Sequence, residues 1–182
     1  MKRIIILSTI FILPGFNILL AQDKKITRTG TIIFEASVPS FEEVKAKNES
    51  VTCVLNIKTG EIASLALMRG FRFKVALMEE HFNENYMESD KYPKATFKGK
   101  IQGFDWTLLG NSSKEFKMKG ILEAHGKSKE ITTSVFLRKL GESIEIISDF
   151  NVNIKDFNIG IPKVISKKVA EIVNIKTHFL VK

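Results

Sequence analysis

The chain has little of what covalent cross-linking and catalysis usually require. Of 182 residues one is cysteine, three are histidine, one is tryptophan and four are proline. A lone Cys53 excludes an intramolecular disulfide, so stability has to come from a hydrophobic core. Cys53 falls on the apolar side of Val51-Thr52-Cys53-Val54-Leu55-Asn56-Ile57 and reads as a buried, unreactive thiol. Among the histidines, His81 with Glu84 at i, i+3 is the pair at metal-ligand spacing. Glu79 and Glu80 beside it make a solvated acidic helix face the simpler reading, and no metal site is expected. There is no G-x-S-x-G, no phosphate-cradling glycine loop and no dinucleotide fingerprint. Neither catalysis nor a cofactor is expected; a metal-dependent hydrolase centred on His81 and Glu84 is the enzymatic alternative.

Blocks of like charge are also missing. The net charge of +8 is dispersed over Lys114, Lys117, Lys119, Lys127, Lys129, Lys163, Lys167, Lys168 and others. Such scatter reads as solvated outer faces, with contact to an anionic membrane surface as the functional version. Nucleic acid is not an expected partner, because the aromatics lie on apolar faces rather than among the basic residues. No linker-like stretch divides residues 23–182, a size that supports one domain with a full core.

A long apolar run occurs at the N-terminus. Lys2 and Arg3 precede Ile4–Leu13, Pro14-Gly15 breaks the run, and a cut after Ala21 or Gln22 makes residues 1–22 a signal peptide. Ser8, Thr9, Pro14, Gly15 and Asn17 make it a poor permanent span. Leu19 is not a small residue, so an uncleaved anchor is the other reading. Export to the periplasm or beyond is expected, and with no cysteine at the cut a lipid-modified terminus is not.

What the chain does have is period-two alternation. Ile32, Phe34 and Ala36 share one face; so do Val51, Cys53, Leu55 and Ile57. Ile62–Met68 is apolar on both faces, and Phe71 and Phe73 oppose Arg72 and Lys74. Val75, Met78 and Phe82, with Leu77 and His81 as a second ridge, predict one short amphipathic helix ended by Asn83-Glu84-Asn85. After Pro93, Ala95, Phe97, Gly99 and Ile101 alternate with Thr96, Lys98 and Lys100. A meander follows: Phe116–Ala124, Ile131–Leu137, Ile144–Val152 and Val173–Val181, with an irregular helical turn in Ile161–Val169. About eight antiparallel strands leave unpaired edges unless they close, so the expected fold is an all-β, eight-stranded antiparallel barrel with one inserted helix. A two-layer sandwich is the rival arrangement.

The order of four segments resembles the YceI-like family. These are Gly30-Thr31-Ile32-Ile33-Phe34, the helix-to-strand stretch through Tyr92-Pro93-Lys94-Ala95-Thr96-Phe97, Gly120-Ile121-Leu122-Glu123-Ala124-His125-Gly126, and Asp156-Phe157-Asn158-Ile159. The resemblance implies a lipocalin-like barrel, some members of which hold a polyisoprenoid chain. It fails after the first strand, where many members have a histidine and a Gly-x-Phe turn; this chain has Glu35-Ala36-Ser37-Val38-Pro39-Ser40-Phe41.

The expected partner is therefore a long-chain isoprenoid or other lipid. Its expected wall is Phe34, Phe71, Phe73, Phe97, Phe116, Phe150 and Phe179, with Leu77, Met78 and Phe82 shaping one end. Small inward residues among the aromatics (Ala36, Cys53, Ala95, Gly99, Gly120, Ser148) are expected to leave volume. Each buried methylene contributes roughly 0.8 kcal/mol, or about 3–4 kcal/mol per isoprene unit. Association costs on the order of 4–15 kcal/mol, which favours several units over a small metabolite. The non-carrier alternative is a structural or stress-related interaction module whose barrel is packed solid.

Overall fold

The computed structural model describes residues 23–182, so the signal-peptide reading falls outside the described residues. Nine strands form in chain order: β1 Lys24–Ser37, β2 Lys45–Asn56, β3 Glu61–Leu67, β4 Arg72–Phe73, β5 Lys94–Ile101, β6 Lys114–Ala124, β7 Lys127–Leu140, β8 Ser143–Asn153 and β9 Val169–Val181. All pairings are antiparallel. β1 hydrogen-bonds to β2 on one side and β9 on the other, which closes β1-β2-β3-β5-β6-β7-β8-β9 into an eight-stranded barrel. Closure leaves the principal strands without a free edge and excludes the sandwich.

The two-residue β4 prolongs the line of β3. Both pair with β2, at Leu55–Thr52 and then at Lys47–Ala46, separated by a tight turn at Met68–Gly70. Asn48 holds that turn: its buried amide donates to the Leu67 carbonyl at 3.0 Å. A Cβ on Gly70 would stand 2.6 Å from the Asn48 amide nitrogen, so the turn needs glycine there.

Two hairpins show how local chemistry sets register. Ala124 pairs with Lys127, leaving a two-residue turn of His125 (φ 48°) and Gly126 (φ 69°). Positive φ at both positions is the type I′ requirement, whose twist matches the flanking strands. Leu140 pairs with Ser143 around Gly141, φ 62°. These registers keep Phe116, Met118 and Leu122 of β6, and Ile144, Ile146 and Ser148 of β8, on the inward face that alternation predicts.

The helix α1 spans Ala76–His81 and runs on as a wider turn, Phe82–Tyr86. Asn83-Glu84-Asn85 therefore does not end it. The Asn83 amide donates back to the Glu79 carbonyl at 2.9 Å and Met87 N–H reaches the Phe82 carbonyl at 2.8 Å, which carries the coil through the asparagines. Glu79 pins α1 to β4 by accepting from Arg72 at 2.9 Å and from Phe73 N–H at 3.1 Å.

Connections sort by end. The Ile57–Gly60 turn, the 102–113 loop and the Gly141 turn lie at one end with both termini of the described chain. The 38–44 loop, the 68–93 excursion with α1, the His125 turn and the 154–168 segment lie at the other.

Candidate functional site

The barrel interior is solid at the end that carries both termini of the described chain. Val51, Cys53, Leu55, Val135, Leu137, Ile144 and Val181 are fully buried there, packed against Ile101, Leu109 and Phe116. Trp106, in a tight turn of the 102–113 loop, packs against this cluster, with the ammonium of Lys139 4.0 Å from its ring centroid and that of Lys25 at 5.4 Å. Burial pushes the Cys53 thiol up to about 12, so at neutral pH it is a small apolar filler.

Toward the other end the interior opens into a cavity of about 460 Å³. Its barrel wall consists of inward residues further along the barrel: Ile32 and Ala36 of β1, Ala66 of β3, Ala95 of β5, Met118 and Leu122 of β6, Ile146 and Val152 of β8, Val173 and Ile175 of β9. The hydroxyl groups on the wall are few, and Ser148 and Thr177 bond to each other across β8 and β9 at 2.7 Å. Among the described residues no buried side-chain polar atom lacks a partner. The remaining hydroxyls on the wall belong to Ser64, Tyr86, Thr96 and Thr133, scattered among aliphatic and aromatic side chains.

Four phenylalanines from separate elements meet at this end. Phe82 lies nearly parallel to Phe34 at 5.3 Å between ring centroids, Phe73 stands 5.2 Å from Phe82 and 5.6 Å from Phe34, and Phe71 stands 5.4 Å from Phe34. These separations fall in the favourable range for ring pairs. The cluster fastens α1 to β1 and β4, and all four rings reach the cavity wall.

The mouth has three sides. One is the 38–44 loop with Phe41 and Glu42, another is α1 with Met78 and His81, and the third is Ile159, Ile161, Ile165 and Lys168. Its carboxylate, imidazole and ammonium residues, Glu42, His81 and Lys168, are all exposed, so charge is confined to the rim. Glu43 bonds Lys74 at 2.5 Å; that ammonium, helped by Lys45, holds the Glu43 carboxyl below its ordinary range against a partial desolvation effect. Burial raises the Tyr86 phenol above its ordinary value.

A buried histidine ties the mouth's framework together. His125 Nδ1 lies 3.0 Å from the Phe157 carbonyl and Nε2 lies 2.8 Å from Glu88 Oε2, while the Tyr92 ring packs edge-on at 4.5 Å. One imidazole thus joins the β6–β7 turn, the stretch after α1 and the 154–157 turn. A Cβ on Gly126 would meet Tyr92 at 2.7 Å, so glycine is needed for that packing as well as for the turn.

Most of the sequence-predicted wall gathers here: Phe34, Phe71, Phe73, Met78, Phe82, Phe97, Phe150 and Phe179 all line the cavity. Leu77 does not. It is 56 % exposed, because one helical step from Met78 turns it about 100° away from the inward face. Phe116 does not either: it points inward but at the solid end, 6.4 Å from the Phe104 ring.

The glycines among the aromatics create no empty volume. Gly99 and Gly120 face each other across β5 and β6, and the Phe97 ring tip would lie 2.8 and 2.6 Å from their added Cβ atoms. The Phe179 ring sits over Gly30 in the same way, at 2.4 Å. Each glycine is a seat for a ring. Cys53 belongs to the solid end, and the alanines with Ser148 are the small residues that border the cavity.

Sequence reasoning missed Phe41, Phe157, Ile159, Ile161 and Ile165 as wall residues. They lie outside the strands, where no periodicity signals which way a side chain faces. The available hint was compositional: isoleucines inside a lysine-rich stretch. His81 and Glu84 gather no further ligands; among the described residues no three His, Cys, Asp or Glu side chains converge.

The YceI-like domain model matches residues 23–180. The chain belongs to the YceI-like family. Among solved structures this YceI-like barrel is similar to a polyisoprenoid binding domain from Saccharophagus degradans implicated in plant cell wall breakdown. That match has a TM-score of 0.76 at 13 % identity, over 88 % of this chain and 98 % of the other. BcnA of Burkholderia cenocepacia matches with a TM-score of 0.69 at 18 % identity, over 84 % of this chain and 96 % of the other. The YceI protein of Campylobacter jejuni matches at 0.60 and 16 %, over 80 % and 89 %. At these identities the likeness is one of fold. No curated protein matches the chain.

Proposed function

We propose that this protein is an exported binding protein that holds one long-chain apolar ligand, an isoprenoid or similar lipid, in the open half of its barrel. The observation that carries the reading is the 460 Å³ cavity with an apolar wall and charge only at its rim. That volume lies within the roughly 300–1,000 Å³ usual for ligand sites. An apolar chain entering it sheds water against a mainly apolar wall, each buried methylene contributing roughly 0.8 kcal/mol. A polar end of the same molecule remains at the mouth, in reach of Glu42, His81 and Lys168. The name of the Saccharophagus degradans neighbour, a polyisoprenoid binding domain, supports the ligand class. Binding without chemistry is the role that this lining suits, since its wall residues offer apolar contact.

Native mass spectrometry of protein purified without detergent tests the reading. A fraction carrying a bound lipid mass is the expected result. A clean protein mass after several mild extractions, with no uptake of added long-chain polyprenol, would overturn it in favour of an interaction module. Recovery of the protein from the periplasm or medium, with residues 1–22 removed, tests the exported part of the proposal.

A further inference from the structure

The segment 160–168 has two faces. Ile161 and Ile165 lie on the cavity wall, whereas Val164 between them is 90 % exposed, the most exposed large apolar side chain among the described residues. Lys163 and Lys167 flank it and Lys168 reaches the rim. Among the described residues none of these three lysines has a carboxylate within ion-pair distance, although other lysines of the barrel do.

The exposure of Val164 follows from how the segment is held. Ile165 N–H bonds the Pro162 carbonyl at 3.0 Å, Lys168 N–H bonds the Ile165 carbonyl at 2.8 Å, and the Ser166 hydroxyl donates to the Lys163 carbonyl at 2.9 Å. These local bonds shape a turn that leaves Val164, Lys163 and Lys167 exposed. Across the mouth Phe41, 46 % exposed and also on the wall, offers a second apolar projection.

An exposed apolar tip at Val164, with lysines beside it in the chain that have no ion-pair partner among the described residues, matches the layering of an anionic bilayer surface. The tip enters the acyl boundary while the lysines remain level with the phosphates. Glu42, beside Phe41, is the acidic residue of the rim, so the favourable electrostatic contact falls on the lysine side. We propose that the 160–168 turn, assisted by Phe41, docks this protein on an anionic phospholipid bilayer with the cavity mouth against the lipid. Because Ile161 and Ile165 belong to the same turn, docking brings the membrane to the cavity wall. An apolar tail then passes between bilayer and barrel without crossing water. This passage rests on the lipid-binding reading given above; the docking does not.

Co-sedimentation with vesicles tests it, using phosphatidylcholine alone and phosphatidylcholine mixed with phosphatidylglycerol. The full chain is used, and the readout is the ratio of variant to wild type, because any contribution of the apolar N-terminal run is common to both. Lysines near an anionic surface contribute about fivefold each, so Lys163→Gln with Lys167→Gln should weaken binding to the anionic vesicles about 25-fold. Val164→Asp should weaken it at least tenfold, and salt should weaken the wild type. Uptake of N-phenylnaphthylamine, measured on the same samples, should be unchanged in all variants, because none of the three residues lines the cavity. Equal vesicle binding by wild type and both variants, or binding indifferent to phosphatidylglycerol, overturns the docking proposal even if the probe enters the barrel. Loss of vesicle binding in the variants without probe uptake by any form supports docking and overturns the lipid-binding reading instead.

Discussion

The two ends of this barrel are built from the same strands with the same alternation, yet one is solid and the other hollow. β8 shows the contrast within one strand: Ile144 is fully buried at the solid end, and Ile146, Ser148, Phe150 and Val152 border the cavity. At the solid end, large aliphatic residues meet across the ring and the 102–113 loop brings Phe104 and Trp106 over them. At the other end α1, the 38–44 loop and the 160–168 turn stand around an opening instead of filling it. The difference separates two tasks that one core cannot perform together. Close packing stabilises the ring, and the volume left unfilled is free for a ligand.

Substitutions that break this contrast should have graded effects. Leu137→Ala removes a fully buried side chain from the solid end. It should lower unfolding free energy by about 3–4 kcal/mol in urea titration, with N-phenylnaphthylamine uptake retained. Gly120→Ala comes next, because its Cβ would stand 2.5 Å from the Lys98 carbonyl and 2.6 Å from the Phe97 ring. A loss of about 2 kcal/mol is expected, again by urea titration. If it costs nothing, the glycine pair is not the seat for Phe97 described above.

Phe150→Ala sharpens the comparison from the other side. Its ring is half-buried and faces the cavity. The expected stability loss is about 1 kcal/mol, below that of a filled core site. The larger consequence should be weaker ligand retention in native mass spectrometry.

The smallest effect should come from the outer surface. Glu145 accepts from the Arg138 guanidinium and, at 3.0 Å, from His178. The Arg138 bond holds its carboxyl below the ordinary range, with His178 reinforcing and desolvation opposing. A depressed carboxyl stabilises the fold above its unfolded value, and that contribution fades as pH falls through the folded value. Glu145→Gln should cost a few tenths of a kcal/mol at pH 7 and flatten the stability profile below about pH 4. Urea titrations across pH check this, and a variant profile parallel to wild type would remove Glu145 from the acid response.

Alternation made most of the fold legible because it reports which face a side chain occupies, and closure follows from the number of strands. It does not report height along the barrel. Phe116 and Phe150 both point inward with equal clarity in sequence, but one belongs to the packed end and the other to the cavity. Height depends on strand register and stagger, which are fixed by turns such as His125-Gly126 and by partners several strands away. Nor does composition distinguish a small residue that leaves space from one that seats a ring; Ala95 and Gly99, on the same face of β5, do the two different things. The mouth was the least legible part. Phe41, Ile161 and Ile165 acquire their positions from irregular turns, and Leu77 loses its place because α1 is only six residues long and shows one narrow face inward.

Filling the hollow end is the most direct test of its purpose. Ala95→Phe places a ring into the cavity from β5, away from the mouth turn and the solid end. Wild type and variant are titrated with N-phenylnaphthylamine and with a long-chain polyprenol as competitor. Probe emission should rise on binding to wild type and be reversed by the polyprenol, while the variant, equally resistant to urea within about 1 kcal/mol, takes up little of either. Equal uptake by the two proteins, or none by the wild type, would contradict a ligand-holding cavity at this end of the barrel.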